Sequence, residues 1–211
     1  MSTVPSFLVI VITIFAIVDP IGTLPFYVAL TESFTPQDRS VILRRAVLVA
    51  GSVLALFALL GRFLFAAFGF SLGAFEIAGG ILLFMVAFDM LQGEITRTRL
   101  TPEGRAESIA RRDEIAVVPL AIPLLAGPGA ISTVMIYEGA AGSQLWVVAA
   151  TFIAILATTV AAYFIFRYGE RILRAMGRVG VMAMTRVLGL ILAAVGVQFV
   201  LAGISNALPH L

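Results

Sequence analysis

Asp19 is a carboxylate set between two apolar runs, Phe7 to Val18 before it and IGTLPFYVAL after Pro20. At the centre of a membrane span an aspartate costs about 2.5–3.5 kcal/mol, which disfavours an unpartnered carboxylate facing lipid. Two uses fit the residue type. It can partner a cation, either a substrate ammonium or a coupling H+ or Na+, or it can cap a half-helix by accepting backbone N–H bonds. Pro20 follows directly; it lacks an N–H, and its ring clashes with the preceding turn and frees carbonyl groups. Gly22 and Pro25 add further freedom to break the helix. Freed backbone groups at such depth need cover from protein or a water-filled cavity. The sequence therefore predicts that Asp19, Pro20, Gly22 and Thr23 line a polar cavity.

A second interruption, Gly127-Pro128-Gly129, lies in the segment LAGPGAISTV, with Pro128 standing 108 residues after Pro20. It carries no carboxylate. A half-helix that begins near Pro128 presents free N–H groups and a positive dipole end to an anion. Ser132 and Thr133 add hydroxyls, which either reach the same ligand or back-bond to their own helix. Pro119 and Pro123 bend the same stretch. Broken apolar segments at corresponding positions of two halves are the sequence mark of a transporter site near the bilayer midplane. The substrate-binding set expected is thus Asp19, Pro20, Gly22, Thr23, Gly127, Pro128, Gly129, Ser132 and Thr133.

The remaining polar residues are weaker candidates. Asp89 is a second carboxylate for ion coupling, but it and Gln92 fall near the end of an apolar stretch, where interfacial exposure accounts for them too. Glu76 near a helix start is favoured by the dipole in any case. Thr158, Thr159 and Gln198 suit interhelical bonds. With no cysteine, and one histidine at position 210, the chain has no thiolate metal site and no metal or other cofactor is expected. No nucleotide-binding loop is present, so any driving force is an ion gradient, a substrate gradient or a separate partner. Nucleic acid is not an expected partner.

The elements that must position these residues are membrane spans. Hydrophobic residues make up 61% of the 211 and charged residues 12%, with mean hydropathy +1.08. Such a chain cannot cover its surface with polar groups, so the lipid bilayer must serve as its solvent. Windows of about 19 residues give six candidate spans, 5–31, 46–68, 73–92, 115–138, 145–167 and 184–204. The first lacks a basic leading region and a small-residue cleavage site, and reads as a retained span rather than a signal peptide.

All 14 basic residues are arginine, and 13 of them fall in three connections on one side, leaving Arg62 alone on the other. Arg39, Arg44 and Arg45 follow the first span; Arg97, Arg99, Arg105, Arg111 and Arg112 lie in the middle; Arg167, Arg171, Arg174, Arg178 and Arg186 lie between the last two spans. The positive-inside rule places those connections in the cytoplasm and both termini outside.

Residues 93–114 form a polar linker between a first three-span unit, 1–92, and a second, 115–211, within one membrane domain. An odd number of spans per unit makes the second unit enter from the opposite side, so any echo between them implies an inverted repeat. FEIAGGILLFMVAFDMLQG from Phe75 echoes TRVLGLILAAVGVQFVLAG from Thr185, and Gly189, Gly196 and Gly203 recur every seven residues along one helix face. Small residues there let a neighbouring backbone approach closely. The fold class expected is an all-α integral membrane protein of six spans in two inverted repeats, with the first and fourth spans broken near the midplane.

VDPIGTLPFYVAL near the N-terminus, FEIAGGILLF, the arginine-bearing middle loop and PLLAGPGAIST together resemble the MarC family, inner-membrane proteins of bacteria and archaea named for multiple antibiotic resistance. The resemblance covers nearly the whole chain. It implies six spans and kinship with the exporter superfamily that includes lysine exporters, and it suggests transport of small neutral amino acids. Where many members carry Asn after the Asp-Pro-x-Gly motif, this chain has Thr23, which removes a side-chain amide from that point.

The reading that follows is a multi-pass secondary transporter or exporter of a small solute in a bacterial inner membrane, and not an enzyme. A substrate carboxylate would meet the N–H groups near Pro128 with Ser132 and Thr133; Asp19 would meet an ammonium or coupling cation. A homo-oligomer is compatible with the sequence. A passive channel would need a continuous polar stripe, which no span carries. An intramembrane aspartyl protease would need two carboxylates that meet, and the flanks of Asp19 and Asp89 lack the motifs of such enzymes.

Overall fold

A helix that starts at Phe7 cannot run unbroken through Asp19-Pro20, because Pro20 cannot donate to the turn before it. In the computed structural model of this chain, which describes residues 6–69, 71–92, 111–141, 144–174 and 177–207, the break falls at that point. Helix α1 (Phe7–Val18) ends and α2 (Pro20–Leu30) begins around Asp19, whose backbone is left-handed at φ 44°, ψ 64°. The Asp19 N–H still donates to the Phe15 carbonyl at 3.0 Å, so the axis is interrupted by one residue only.

The chain then turns quickly. Thr35-Pro36-Gln37-Asp38 is a helix-start signal: Thr35 Oγ1 accepts from the Asp38 N–H at 3.2 Å, and Pro36 takes the first helical position, where no N–H is needed. Helix α3 (Pro36–Phe68) therefore starts ten residues before the apolar span assigned at 46–68. Arg39, Arg44 and Arg45 lie on its first turns rather than in a loop, a correction to the sequence reading. Arg39 has a structural job: Nε and Nη2 donate to the carbonyls of Thr31 and Glu32, both at 2.9 Å, and so close the C-terminal end of α2.

Helix α4 (Leu72–Gln92) follows, capped by Ser71, which accepts from the Ala74 N–H at 3.2 Å. Most of the linker, 93–110, lies outside the described residues, and its last residues, 111–114, are already helical. The next segment, Ala116–Leu125, is not a regular helix, because Val118 and Ile122 are extended and the bonds preceding Pro119 and Pro123 are cis. Helices α5 (Pro128–Ala141), α6 (Leu145–Arg174) and α7 (Gly177–Ala207) complete the described chain.

Among the described residues, five helical stretches are long and apolar enough to cross a membrane, Phe7–Leu30 being one. A sixth is the pair Arg111–Leu125 and Pro128–Gly139, bent by 57°. The outward faces agree with a lipid solvent: Leu48, Leu59 and Phe63 on α3 and Leu156 on α6 are all more than 60% exposed.

Two kinds of packing hold the bundle. The first is backbone approach. Along α4 and α7, Gly73 faces Gly203, Gly80 faces Gly196 and Ala87 faces Gly189, an antiparallel seam with one close step every seven residues. A Cβ on Gly196 would stand 2.7 Å from the Gly80 carbonyl oxygen, so only glycine permits the separation. The second is side-chain filling. Ile10, Ile14 and Val18 form the buried face of α1, and Tyr27 of α2 stacks on Phe166 of α6 at 5.1 Å between ring centroids. The first span packs on α6, while the bent span packs on α3. At the start of α3, Asp38 and Arg45 meet Arg112 and Asp113, an ionic cluster that ties residues 111–115 to the bundle.

Candidate functional site

Local chemistry explains the geometry at Asp19. Its left-handed backbone turns the carboxylate back over the start of α2, where Oδ1 accepts from the Gly22 N–H at 2.9 Å. The Asp19 carbonyl accepts from the Thr23 N–H at 3.0 Å and from Thr23 Oγ1 at 2.9 Å. Gly22 is required here, since a Cβ would overlap Oδ2 of Asp19. Asp19 is therefore an N-cap. The structural use and the cation-binding use are compatible, since among the described residues Oδ2 accepts no hydrogen bond. Pro20 and Thr23 are buried, while Asp19 and Gly22 are exposed.

The second break is made differently. Ala126 leaves the helical region at φ −103°, ψ 58°, and its N–H reaches back to the Ala121 carbonyl at 2.8 Å. Gly127 is pressed against the Pro123 carbonyl oxygen, which a Cβ would approach to 2.5 Å. Helix α5 then starts at Pro128, with the Ile131 N–H donating to the Gly127 carbonyl at 3.0 Å. Helix geometry leaves the N–H groups of Gly129 and Ala130 without an intrahelical acceptor. Among the described residues no side chain caps them as Asp19 caps α2.

The hydroxyls take the second of the two uses open to them. Ser132 Oγ donates to the Pro128 carbonyl at 2.6 Å and Thr133 Oγ1 donates to the Gly129 carbonyl at 2.8 Å. Each has spent its one proton on its own helix, so neither is placed to donate to a substrate carboxylate. Each oxygen keeps lone pairs that can accept from an ammonium.

The two breaks are neighbours. Gly129 lies against Ile17, where a Cβ would touch Ile17 Cγ2 at 3.5 Å, two residues before Asp19. Pro128 is backed from the other side by Gly79 of α4, whose lack of a side chain admits the ring. Asp89 is not part of this group. It is exposed on α4, three residues from its C-terminal end.

Three further polar residues stand in settings that the sequence did not show. Glu138 on α5 has a buried Oε1 without a hydrogen-bond partner among the described residues; at the edge of the 115–138 window, its position alone reads as interfacial. Glu76 is buried and accepts from Asn206 Nδ2 at 2.8 Å, a link across 130 residues that no local pattern reveals. Arg62 lines a cavity of about 450 Å³ that also reaches Ser132. A larger cavity, about 770 Å³, lies between α3 and α6 and is mostly apolar. Asp19 lines neither. Among the described residues no group of three or more His, Asp or Glu side chains gathers as a metal site.

Against known proteins, a family model described as MarC family integral membrane protein matches residues 4–208. A UPF0056 membrane protein of Pyrococcus abyssi is 36% identical over 207 residues, 98% of each chain. The UPF0056 membrane protein YvbG of Bacillus subtilis is 34% identical over 98% of each chain. YhcE of Escherichia coli is 32% identical over 98% of this chain and 95% of its own. Relatives thus occur in both bacteria and archaea. No solved structure matches the chain.

Proposed function

We propose that this chain, which belongs to the MarC family of integral membrane proteins, is a secondary transporter of a small neutral amino acid. The observation that carries this reading is the contact of the two helix breaks, with Gly129 against Ile17 beside Asp19. One break offers a carboxylate and the other offers uncapped N–H groups at a helix start. A zwitterion carries the complementary pair of charges. The Gly129 and Ala130 N–H groups take the substrate carboxylate, and Asp19 with the free lone pairs of Ser132 and Thr133 takes the ammonium or a coupling H+ or Na+.

An inverted repeat is the second part of the proposal. If the unit 1–92 maps onto 115–211, the first span corresponds to the bent span, α3 to α6, and α4 to α7. The packing supports that mapping. The first span lies on α6 as the bent span lies on α3, while α3 with α6 and α4 with α7 form two self-corresponding pairs. Both breaks are followed by a proline at the first position of a half-helix. The arginine distribution supports a bacterial inner-membrane orientation with both termini outside.

The test is uptake into proteoliposomes of purified full-length chain, screened across the neutral amino acids with and without proton and sodium gradients. Saturable uptake of one or a few of them is the expected result. Uptake that never saturates and follows solute size alone would favour the rival reading, a passive channel.

A further inference from the structure

The cavity of about 450 Å³ is walled by the end of α3, the start of α4 and one face of α5. Phe65, Leu72 and Met135 give it apolar sides; Ser71, Ser132 and Arg62 give it polar points. Its size is that of a small-molecule site. Arg62 is the only cation lining it, and among the described residues it makes no hydrogen bond or ion pair. We propose that this cavity is a binding site for a small carboxylate with a short apolar body, held by the Arg62 guanidinium. Ser132 is shared with the start of α5, but the anchor of this cavity, Arg62, lies outside the two helix breaks, and binding there needs no transport cycle.

Three features support it. First, Arg62 is held in place by a backbone shape: its guanidinium lies on Gly139 of α5, in space that any side chain there would fill. Second, it stays unneutralised although a carboxylate adjoins the glycine on which it lies. Glu138 precedes Gly139, yet its Oε1 is buried without a partner and forms no ion pair with Arg62. Third, the cavity receives the start of α4, a 21-residue helix whose dipole is positive at that end. Guanidinium and helix start favour the same charge. The apolar walls then favour an anion with a hydrocarbon body over an inorganic one, and the planar fork of arginine favours a carboxylate.

The rival explanation for an arginine at a span end is snorkelling to lipid headgroups. Sodium propionate is the probe, and propionamide is its uncharged counterpart. Binding is measured by titration calorimetry on the full chain in non-ionic detergent, then in nanodiscs of zwitterionic or anionic phospholipid. Propionate is expected to bind saturably and about tenfold or more tighter than propionamide, as loss of a charge-assisted hydrogen bond implies. Arg62→Gln should abolish that preference. Arg62→Lys should retain part of it, and Gly139→Ala, which displaces the guanidinium, should weaken propionate while leaving propionamide unchanged.

Equal binding of the two probes, or wild-type propionate affinity in Arg62→Gln, overturns the proposal. So does propionate binding that vanishes in anionic nanodiscs, which would assign Arg62 to lipid phosphate. If Arg62→Gln is not monodisperse, Arg62→Lys and Gly139→Ala decide, and wild-type affinity in both overturns it. Transport is not read, so failure of the transporter reading leaves the result intact.

Discussion

Gly51 of α3 and Thr159 of α6 touch: a Cβ on Gly51 would stand 3.0 Å from Thr159 Cγ2. They are 108 residues apart, the interval that separates Pro20 from Pro128. In a protein built of two inverted copies, a residue on the pseudo-two-fold axis meets its own counterpart, so this contact supports the proposed repeat. The three atoms nearest a Cβ on Gly51 all belong to Thr159. Gly51→Leu should cost about 1–3 kcal/mol by overpacking, and adding Thr159→Ala should restore part of it. Denaturant unfolding of the single and double variants in detergent measures the coupling; simple additivity would contradict the contact.

The α4–α7 seam makes a sharper contrast. Gly196→Ala puts a methyl 2.7 Å from the Gly80 carbonyl oxygen, so the helices must separate, at about 1–3 kcal/mol. Gly69 has open space around it but a positive φ of 68°, so Gly69→Ala should cost only about 1 kcal/mol of backbone strain. Thermal unfolding should rank Gly196→Ala well below Gly69→Ala. The reverse order would mean that the seam is looser than its backbone contacts imply.

These packing features differ in how far the sequence displayed them. The seven-residue spacing of Gly189, Gly196 and Gly203 announced a close helix face, because periodicity is a local property. Its partner, Gly73-x6-Gly80-x6-Ala87, was less visible, since it ends in an alanine and the adjacent Gly79 backs Pro128 instead. The breaks at Asp19 and Pro128 were legible because proline and glycine act on their own backbone. Span lengths were less so: hydropathy registers where lipid begins, whereas Thr35-Pro36 fixes where the α3 helix begins. The back-bonding of Ser132 and Thr133 was one of two local options, decided by rotamer, whereas the long-range pair Glu76–Asn206 depends on tertiary register, which residue order does not encode locally.

Orientation rests on the arginine count alone. Cysteines introduced at Ser2 and at Thr101, both outside the described residues, should behave oppositely toward an impermeant thiol reagent added to intact cells. Ser2→Cys is expected to label and Thr101→Cys to stay protected until the membrane is opened. Since the chain has no native cysteine, the background is clean. Labelling of Thr101→Cys from outside would reverse the proposed topology.

Asp19 is an N-cap, and the proposed function gives it a second role, as partner of a cation, that substitution can separate from the first. As an N-cap it accepts one backbone N–H, from Gly22, and asparagine caps about as well as aspartate. Asp19→Asn should therefore fold, insert and run as a single species. As the partner of a cation it needs its charge, and loss of a charge-assisted bond of about 1.5–3 kcal/mol should lower amino-acid transport on the order of tenfold or more. Gly22→Ala provides the converse, because its methyl evicts the carboxylate from the cap without removing the charge. It should lower stability by about 1 kcal/mol and disturb transport through misplacement of Asp19. Proteoliposome uptake and thermal unfolding, measured on the same preparations, distinguish the cases. Normal transport by Asp19→Asn would reduce Asp19 to a cap and leave the substrate ammonium to other groups.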